Sequence, residues 1–158
     1  MNKSEIFQLV KKQMQDDLDV AVQELAHSRE VATSTENKAD EDDAGNLEAS
    51  YLESAQSKRL LEIKNGLGIL NGLKIREFKA KDLITVTALV KLTWDKKEFY
   101  YFILPESGGL KIDYRNKEIM LITPQSPLGR ELLGKKIGET IEVGTPNSTR
   151  EYEIKAVY

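Results

Sequence analysis

The feature that most restricts the fold of this chain is a change in apolar spacing near residue 80. Before it, apolar side chains recur at Ile6, Leu9, Val10, Met14, Leu18, Ala21, Val22 and Leu25, one stripe on a helix of about 3.6 residues per turn. A second stripe, Leu60, Ile63, Leu67, Leu70 and Leu73, falls mostly at the three-and-four spacing of a coiled-coil seam, with Leu47, Tyr51, Leu52 and Ala55 leading into it. No proline interrupts residues 1–79. Two such helices bury their stripes most simply by folding back on each other as an antiparallel hairpin, joined near residues 33–45. Helices of roughly 26 to 30 residues would hold that joint some 40 to 45 Å from the hairpin base. Gly66, Gly68 and Gly72 each weaken the second helix by about 1 kcal/mol relative to Ala, so fraying or a bend is expected there.

From about Ala80 the pattern is that of strands. "LITVTALVKL" (83–92) is rich in β-branched residues and "EFYYFIL" (98–104) is aromatic and ends at Pro105. Gly108-Gly109 marks a turn before residues 110–113, and 118–123 supplies another short apolar run. In "SPLGRELLG", Ser126 suits an N-cap, Pro127 the first helical position and Gly134 a stop, which predicts one short helix over 127–133. Residues 140–143 and 150–157 flank "GTPNS", a turn between paired strands. The fold class is therefore α+β, a helical hairpin over 1–78 followed by a small antiparallel β domain with one short helix over 79–158.

Chemistry is narrowed by what the chain lacks. It has no cysteine, hence no disulfide, thiolate metal site or thiol nucleophile, and its single histidine, His27, excludes a His-pair zinc motif. His27 reads as a surface or capping residue. Residues 1–79 carry 11 basic and 15 acidic side chains and 80–158 carry 12 and 11, so neither half has the basic excess of a general nucleic-acid binder. No apolar run reaches the roughly 18 to 20 residues of a membrane span, and the N-terminal residues lack a signal-peptide pattern, which makes a cytoplasmic location the expectation.

One span stands apart. Asp40, Glu41, Asp42 and Asp43 lie side by side and are followed closely by Gly45-Asn46, which places them at the hairpin tip. They are either a solvated face or carboxylates offered to something positive such as a metal ion. An EF-hand calcium loop starting at Asp40 is rejected, because Ala44 takes a ligand position and Tyr51 stands where the bidentate Glu belongs. Tyr100, Tyr101 and Phe102 beside Trp94 raise the thought of a prolyl-isomerase pocket, but neighbours on a strand point to opposite faces and core packing accounts for them.

The run Ser126-Pro127-Leu128, then "LGKKIGE" (133–139), Thr145-Pro146, Tyr152-Glu153-Ile154 and Tyr158 resembles the C-terminal domain of the bacterial Gre transcript-cleavage and elongation factors. Glu36-Asn37-Lys38 and "LEASYL" (47–52) look most like a Gre-like branch of that family. The resemblance implies an FKBP-like C-terminal domain docking on RNA polymerase and a hairpin inserted through its secondary channel toward the catalytic Mg²⁺. It makes Ser126, Pro127, Leu128, Lys135 and Lys136 docking candidates, and Asp40 to Asp43 candidates for lying beside the polymerase metal. No tightly bound cofactor is implied; nucleic acid would be met mainly through the polymerase complex. Cleavage-competent members carry Asp and, three residues on, Glu followed by Asn-Ala-Glu-Tyr. Aligning that Tyr with Tyr51 puts Ala44 and Leu47 at the two acidic places. Asn147-Ser148 likewise replaces the Gly-Gly usual in the last turn.

The resulting expectation is a polymerase-binding elongation regulator that is not itself an enzyme, with weak or no stimulation of polymerase-intrinsic RNA cleavage. The alternative is a client-binding or chaperone-like module with an FKBP-like domain and no role in transcript cleavage.

Overall fold

The computed structural model describes residues 1–36, 43–145 and 148–158, with the side chains of 32–49 and 145–148 left aside. The chain divides into two compact units, one of residues 11–71 and one that joins residues 1–10 to 72–158. The sequence pattern alone offered a division at 78/79. The difference arises because the first turns of the opening helix are buried with the sheet.

The hairpin unit takes its residues from α1 (Lys3–Glu36) and α2 (Asp43–Gly72). Met14 and Ala21 are buried on α1, with Leu18 and Leu25 half-buried between and beyond them; Leu67 and Leu70 are buried on α2, with Leu60 and Ile63 half-buried. These are the seam positions that the spacing predicts. Val22, by contrast, is half-exposed and lies off the seam. Arg29 pairs with Glu53 at 2.8 Å and Arg59 with Glu24 at 3.1 Å, so α1 rises as α2 descends and the pair is antiparallel. Both ion pairs are exposed and add at most about 1 kcal/mol each. The helices close further than expected: α1 continues to Glu36 and α2 begins at Asp43, absorbing Gly45-Asn46 into its first turn, where unpaired N–H groups tolerate poor helix formers. α2 also runs unbroken through Gly66 and Gly68 to Gly72.

The sheet unit contains β1 (Leu89–Trp94), β2 (Lys97–Ile103), β3 (Lys111–Tyr114), β4 (Lys117–Ile122), α3 (Pro127–Leu132), β5 (Thr140–Thr145) and β6 (Ser148–Val157). Its six strands lie in the order β3-β4-β2-β1-β6-β5. All neighbours are antiparallel except β2 and β4, which run parallel from Tyr100↔Ile119 to Ile103↔Ile122, so the sheet is mixed rather than wholly antiparallel. The first strand starts at Leu89, not near Leu83. Ile84 instead bonds to the chain after α3, its N–H donating to Lys135 O and its carbonyl accepting from Gly134 N, each at 2.9 Å, and Thr87 turns with φ +73°.

The two faces of the sheet are covered differently. On one, the start of α1 lies over Phe102, with the Phe7 ring edge-on at 6.2 Å; Ile6, Phe7 and Val10 are buried, and Tyr114 OH donates to the Glu5 carboxylate. On the other, Val90, Leu92, Ile103, Ile141, Tyr152 and Ile154 form the main core, into which α3 inserts Leu132.

Candidate functional site

Most of the sequence around α3 carries structure. The Ser126 hydroxyl accepts from Gly129 N at 3.1 Å and donates to Thr123 O at 2.7 Å, capping the helix that Pro127 begins. Gly129 is obligatory here: a Cβ would stand 2.0 Å from Thr123 O. Leu128 is half-buried against the main core. Gly134 and Gly138 hold φ values of +80° and +89°, and their N–H groups donate to Ile84 O and Ile154 O. Lys135 is half-buried with its backbone tied to Ile84, whereas Pro127, Arg130 and Lys136 are exposed. Of the five docking candidates, Pro127 and Lys136 thus present free surface, while Ser126, Leu128 and Lys135 mainly hold the segment in shape.

The acidic candidates Asp40, Glu41 and Asp42 lie outside the described residues, and Asp43 is described only as the first residue of α2. Among the described residues no three His, Cys, Asp or Glu side chains come together as a metal site. No helix among them is long and apolar enough to cross a membrane.

Two clusters of polar side chains were not anticipated. Lys3 is buried; its ammonium donates to Arg76 O and, at 2.8 Å, to Tyr158 O, and lies 4.6 Å from the centre of the Phe78 ring. Burial, opposed by Glu77 and reinforced by Arg76, lowers its pKa to about 8. The Arg76 peptide is held from its other end as well, because its N–H donates to Thr87 Oγ1 at 3.2 Å. A β-branched residue at positive φ is strained, and Thr87 is kept so by this bond and by its own N–H donating to Ile103 O at 2.8 Å. Lys3 had a signal in the sequence, since 3, 7, 10 and 14 continue the α1 stripe at three-and-four spacing. Thr87 had none.

The second cluster is a chain on β1, β2 and β4. Lys91 pairs with Glu98, Glu98 accepts from Tyr100 OH at 2.6 Å, and Tyr100 OH accepts from the Lys117 ammonium at 2.6 Å. The hydrogen bond from Lys91, then that from Tyr100, holds the Glu98 carboxyl below its ordinary pKa, and the bond to Tyr100 raises that of Lys117. The aromatics behave as alternation requires. Trp94 packs with Phe99 and Tyr152 at 6.5 and 6.2 Å under the Arg150 guanidinium, not with Tyr100 or Phe102.

Residues 79–158, half of the chain and most of the sheet unit, match the family model of the GreA/GreB transcription elongation factor C-terminal domain. The chain belongs to the GreA/GreB family. Among its relatives, the transcription elongation factor GreA of Desulfotalea psychrophila is 29% identical over 98 residues, 61% of this chain and 56% of that protein. GreA of Clostridium botulinum is 34% identical over 80 residues, 49% of this chain and 46% of that protein. The chain thus spans about half the length of these relatives. Among solved structures, GreA factor homolog 1 of Thermus thermophilus is 20% identical with a TM-score of 0.41, covering 94% of both chains. GreA/GreB from Nitrosomonas europaea, also 20% identical, gives 0.38 and covers 67% of this chain and 92% of that one.

Proposed function

We propose that this Gre-family chain binds RNA polymerase and regulates elongation by placing its helical hairpin in the secondary channel. The observation that carries the reading is the family match across most of the sheet unit joined, in one chain, to an antiparallel hairpin with a run of four carboxylates, Asp40 to Asp43, where the second helix begins. Residues 11–36 of α1 alone make a rod of about 40 Å. The sheet unit anchors, through the exposed Pro127 and Lys136.

Mg²⁺ held by the polymerase would supply the Lewis acid for phosphodiester hydrolysis. Asp40, Glu41, Asp42 and Asp43 offer the oxygen donors that this ion prefers. Ala44 and Leu47 at the family's acidic places argue that the run occupies the channel rather than driving cleavage. A backtracked elongation complex at fixed Mg²⁺ tests this: the expected result is bound factor with weak or no RNA cleavage. Strong cleavage that disappears when the three Asp become Asn and Glu41 becomes Gln would overturn channel occupancy as the main action.

A further inference from the structure

A sheet in the order β3-β4-β2-β1-β6-β5 ends in two edges, and nothing in the polymerase reading uses either. β3 has four residues, and shortness is itself a protection against further pairing. β5 has six and pairs with β6 from Thr140↔Glu153 to Thr145↔Ser148. Ile154 N donates to Glu139 O, so the hydrogen-bonded positions of this ladder recur at every second residue, at Ile141 and Val143. The N–H and C=O groups of Thr140, Glu142 and Gly144 therefore face away from β6. These three residues are exposed, and no described residue bonds to their outward groups.

The two faces beside this edge differ. On one, Ile141 is buried and Val143 half-buried, at the margin of the main core. On the other, Glu142 stands directly opposite Glu151, and among the described residues neither carboxylate makes an ion pair. Like charges placed so destabilise a sheet. The same face holds a hollow of about 490 Å³ bordered by Thr140, Glu151, Glu153 and Lys155, with Asp95 and Lys96 in the adjoining turn. Lys155 pairs with Glu153. With Glu142 included, four carboxylates here meet two ammonium groups, and Glu142 and Glu151 are the pair left without a cation. The other cation of β6, Arg150, lies on the opposite face over the Trp94 ring.

We propose that β5 is extended by one more antiparallel strand, a peptide segment of a partner protein that alternates lysine or arginine with β-branched apolar residues. Backbone bonds to Thr140, Glu142 and Gly144 supply affinity, and the alternation supplies selectivity. A basic side chain opposite Glu142 offsets its repulsion with Glu151, and a second opposite Thr140 reaches the acidic hollow. The apolar side chains between them continue the row of Ile141 and Val143. A second copy of this chain is a poor occupant, because pairing β5 with β5 about its centre sets Glu142 opposite Glu142. None of the polymerase-docking candidates lies on β5, so the proposal stands or falls independently of that reading.

The test uses the full chain and a capped peptide, N-acetyl-Lys-Val-Lys-Val-Lys-amide, followed by amide chemical shifts and hydrogen exchange. At millimolar peptide, saturable shifts and slowed exchange are expected at Thr140, Glu142 and Gly144, with smaller changes at Ile141 and Val143, whose N–H groups are already bonded to β6. The same residues in the order Val-Val-Lys-Lys-Lys lose the alternation and should bind at least about fivefold more weakly. Glu142→Gln combined with Glu151→Gln should weaken binding of the alternating peptide about fivefold, the size of one or two cross-strand charge pairs. That variant should melt no lower than the parent, since it removes like charges directly opposite each other, which separates loss of binding from loss of fold. Absence of saturable shifts, equal binding by the reordered peptide or by the double variant, or a dimer of the parent chain that shifts the same three amides without peptide would overturn the proposal.

Discussion

The two units bury their apolar residues to different depths. In the sheet unit Ile84, Leu89, Leu92, Phe102, Ile103, Leu104, Ile119, Leu121, Leu132 and Ile154 are all fully buried. In the hairpin unit only Leu70 is, among the described residues, while Val20, Val22, Val31, Tyr51, Leu52, Leu61 and Ile69 remain about half exposed or more. Two helices have a single seam between them, so any apolar residue off that seam faces water; a sheet covered on both faces leaves a smaller remainder, with Leu83 about half exposed. Stability therefore resides in the sheet unit, and the hairpin is a slender element whose surface is available to its surroundings. The proposed roles of anchor and probe rest on that difference.

Removing Met1–Val10 should have the largest effect, because these residues belong to the sheet unit and cover Phe102. Loss of the buried Ile6, Phe7 and Val10, at about 2–5 kcal/mol for each large side chain, approaches the whole stability of a small domain. Hydrogen exchange should show protection collapsing in β1, β2 and β4. Retained protection there would mean that the helix start is an accessory and not part of the core.

One substitution, glycine to alanine, should act with opposite sign in the two regions. Gly129→Ala drives a methyl into Thr123 O and should cost about 2–4 kcal/mol. Gly68→Ala sits in the interior of α2 with nothing within 4 Å of the added methyl and should stabilise by about 1 kcal/mol. Denaturant melts of the two variants measure both; destabilisation by Gly68→Ala would show that the hairpin needs a bend there.

A smaller effect comes from pH. The folded pKa of Lys3 is about 8, below its ordinary 10.5, so between these values the unfolded chain holds the proton more tightly. The cost of burying the ammonium is fully present below about pH 8 and disappears as the pH rises toward 10.5. Lys3 should therefore add a rise in stability across that window, which Lys3→Met should remove. An unchanged pH profile in the variant would show that the lysine titrates as if in water.

The hairpin was legible because its seam is local and periodic: Met14, Leu18, Ala21 and Leu25 on α1 and Leu60, Ile63, Leu67 and Leu70 on α2 each announce their neighbours within one turn. Most strand segments were legible for similar reasons. Their order was not, since the pairing of β2 with β4 joins chain segments across an intervening strand and leaves no trace in either sequence. The 83–88 stretch was misread because β-branched content suggests a strand, whereas bonds from Ile84 to Gly134 and Lys135 decide its course. At the candidate site, the Ser126 cap and Pro127 start were visible from residue type alone, but the close approach of Gly129 to Thr123 depends on tertiary packing. The link from Lys117 to Glu98 through Tyr100 likewise joins two strands that only the fold brings together.

The division between anchor and probe is tested most directly by the affinity of the purified full chain for core RNA polymerase, measured beside two variants. The combined Pro127→Ala and Lys136→Glu change alters the exposed part of the sheet unit, and the four-residue amide change at Asp40 to Asp43, the proposed tip, alters only the acidic run. A division between anchor and probe predicts saturable binding by the parent chain, a loss of at least about tenfold in the first variant, and near-parental affinity in the second. Absence of saturable binding, or loss of binding in the tip variant with none in the other, would contradict it.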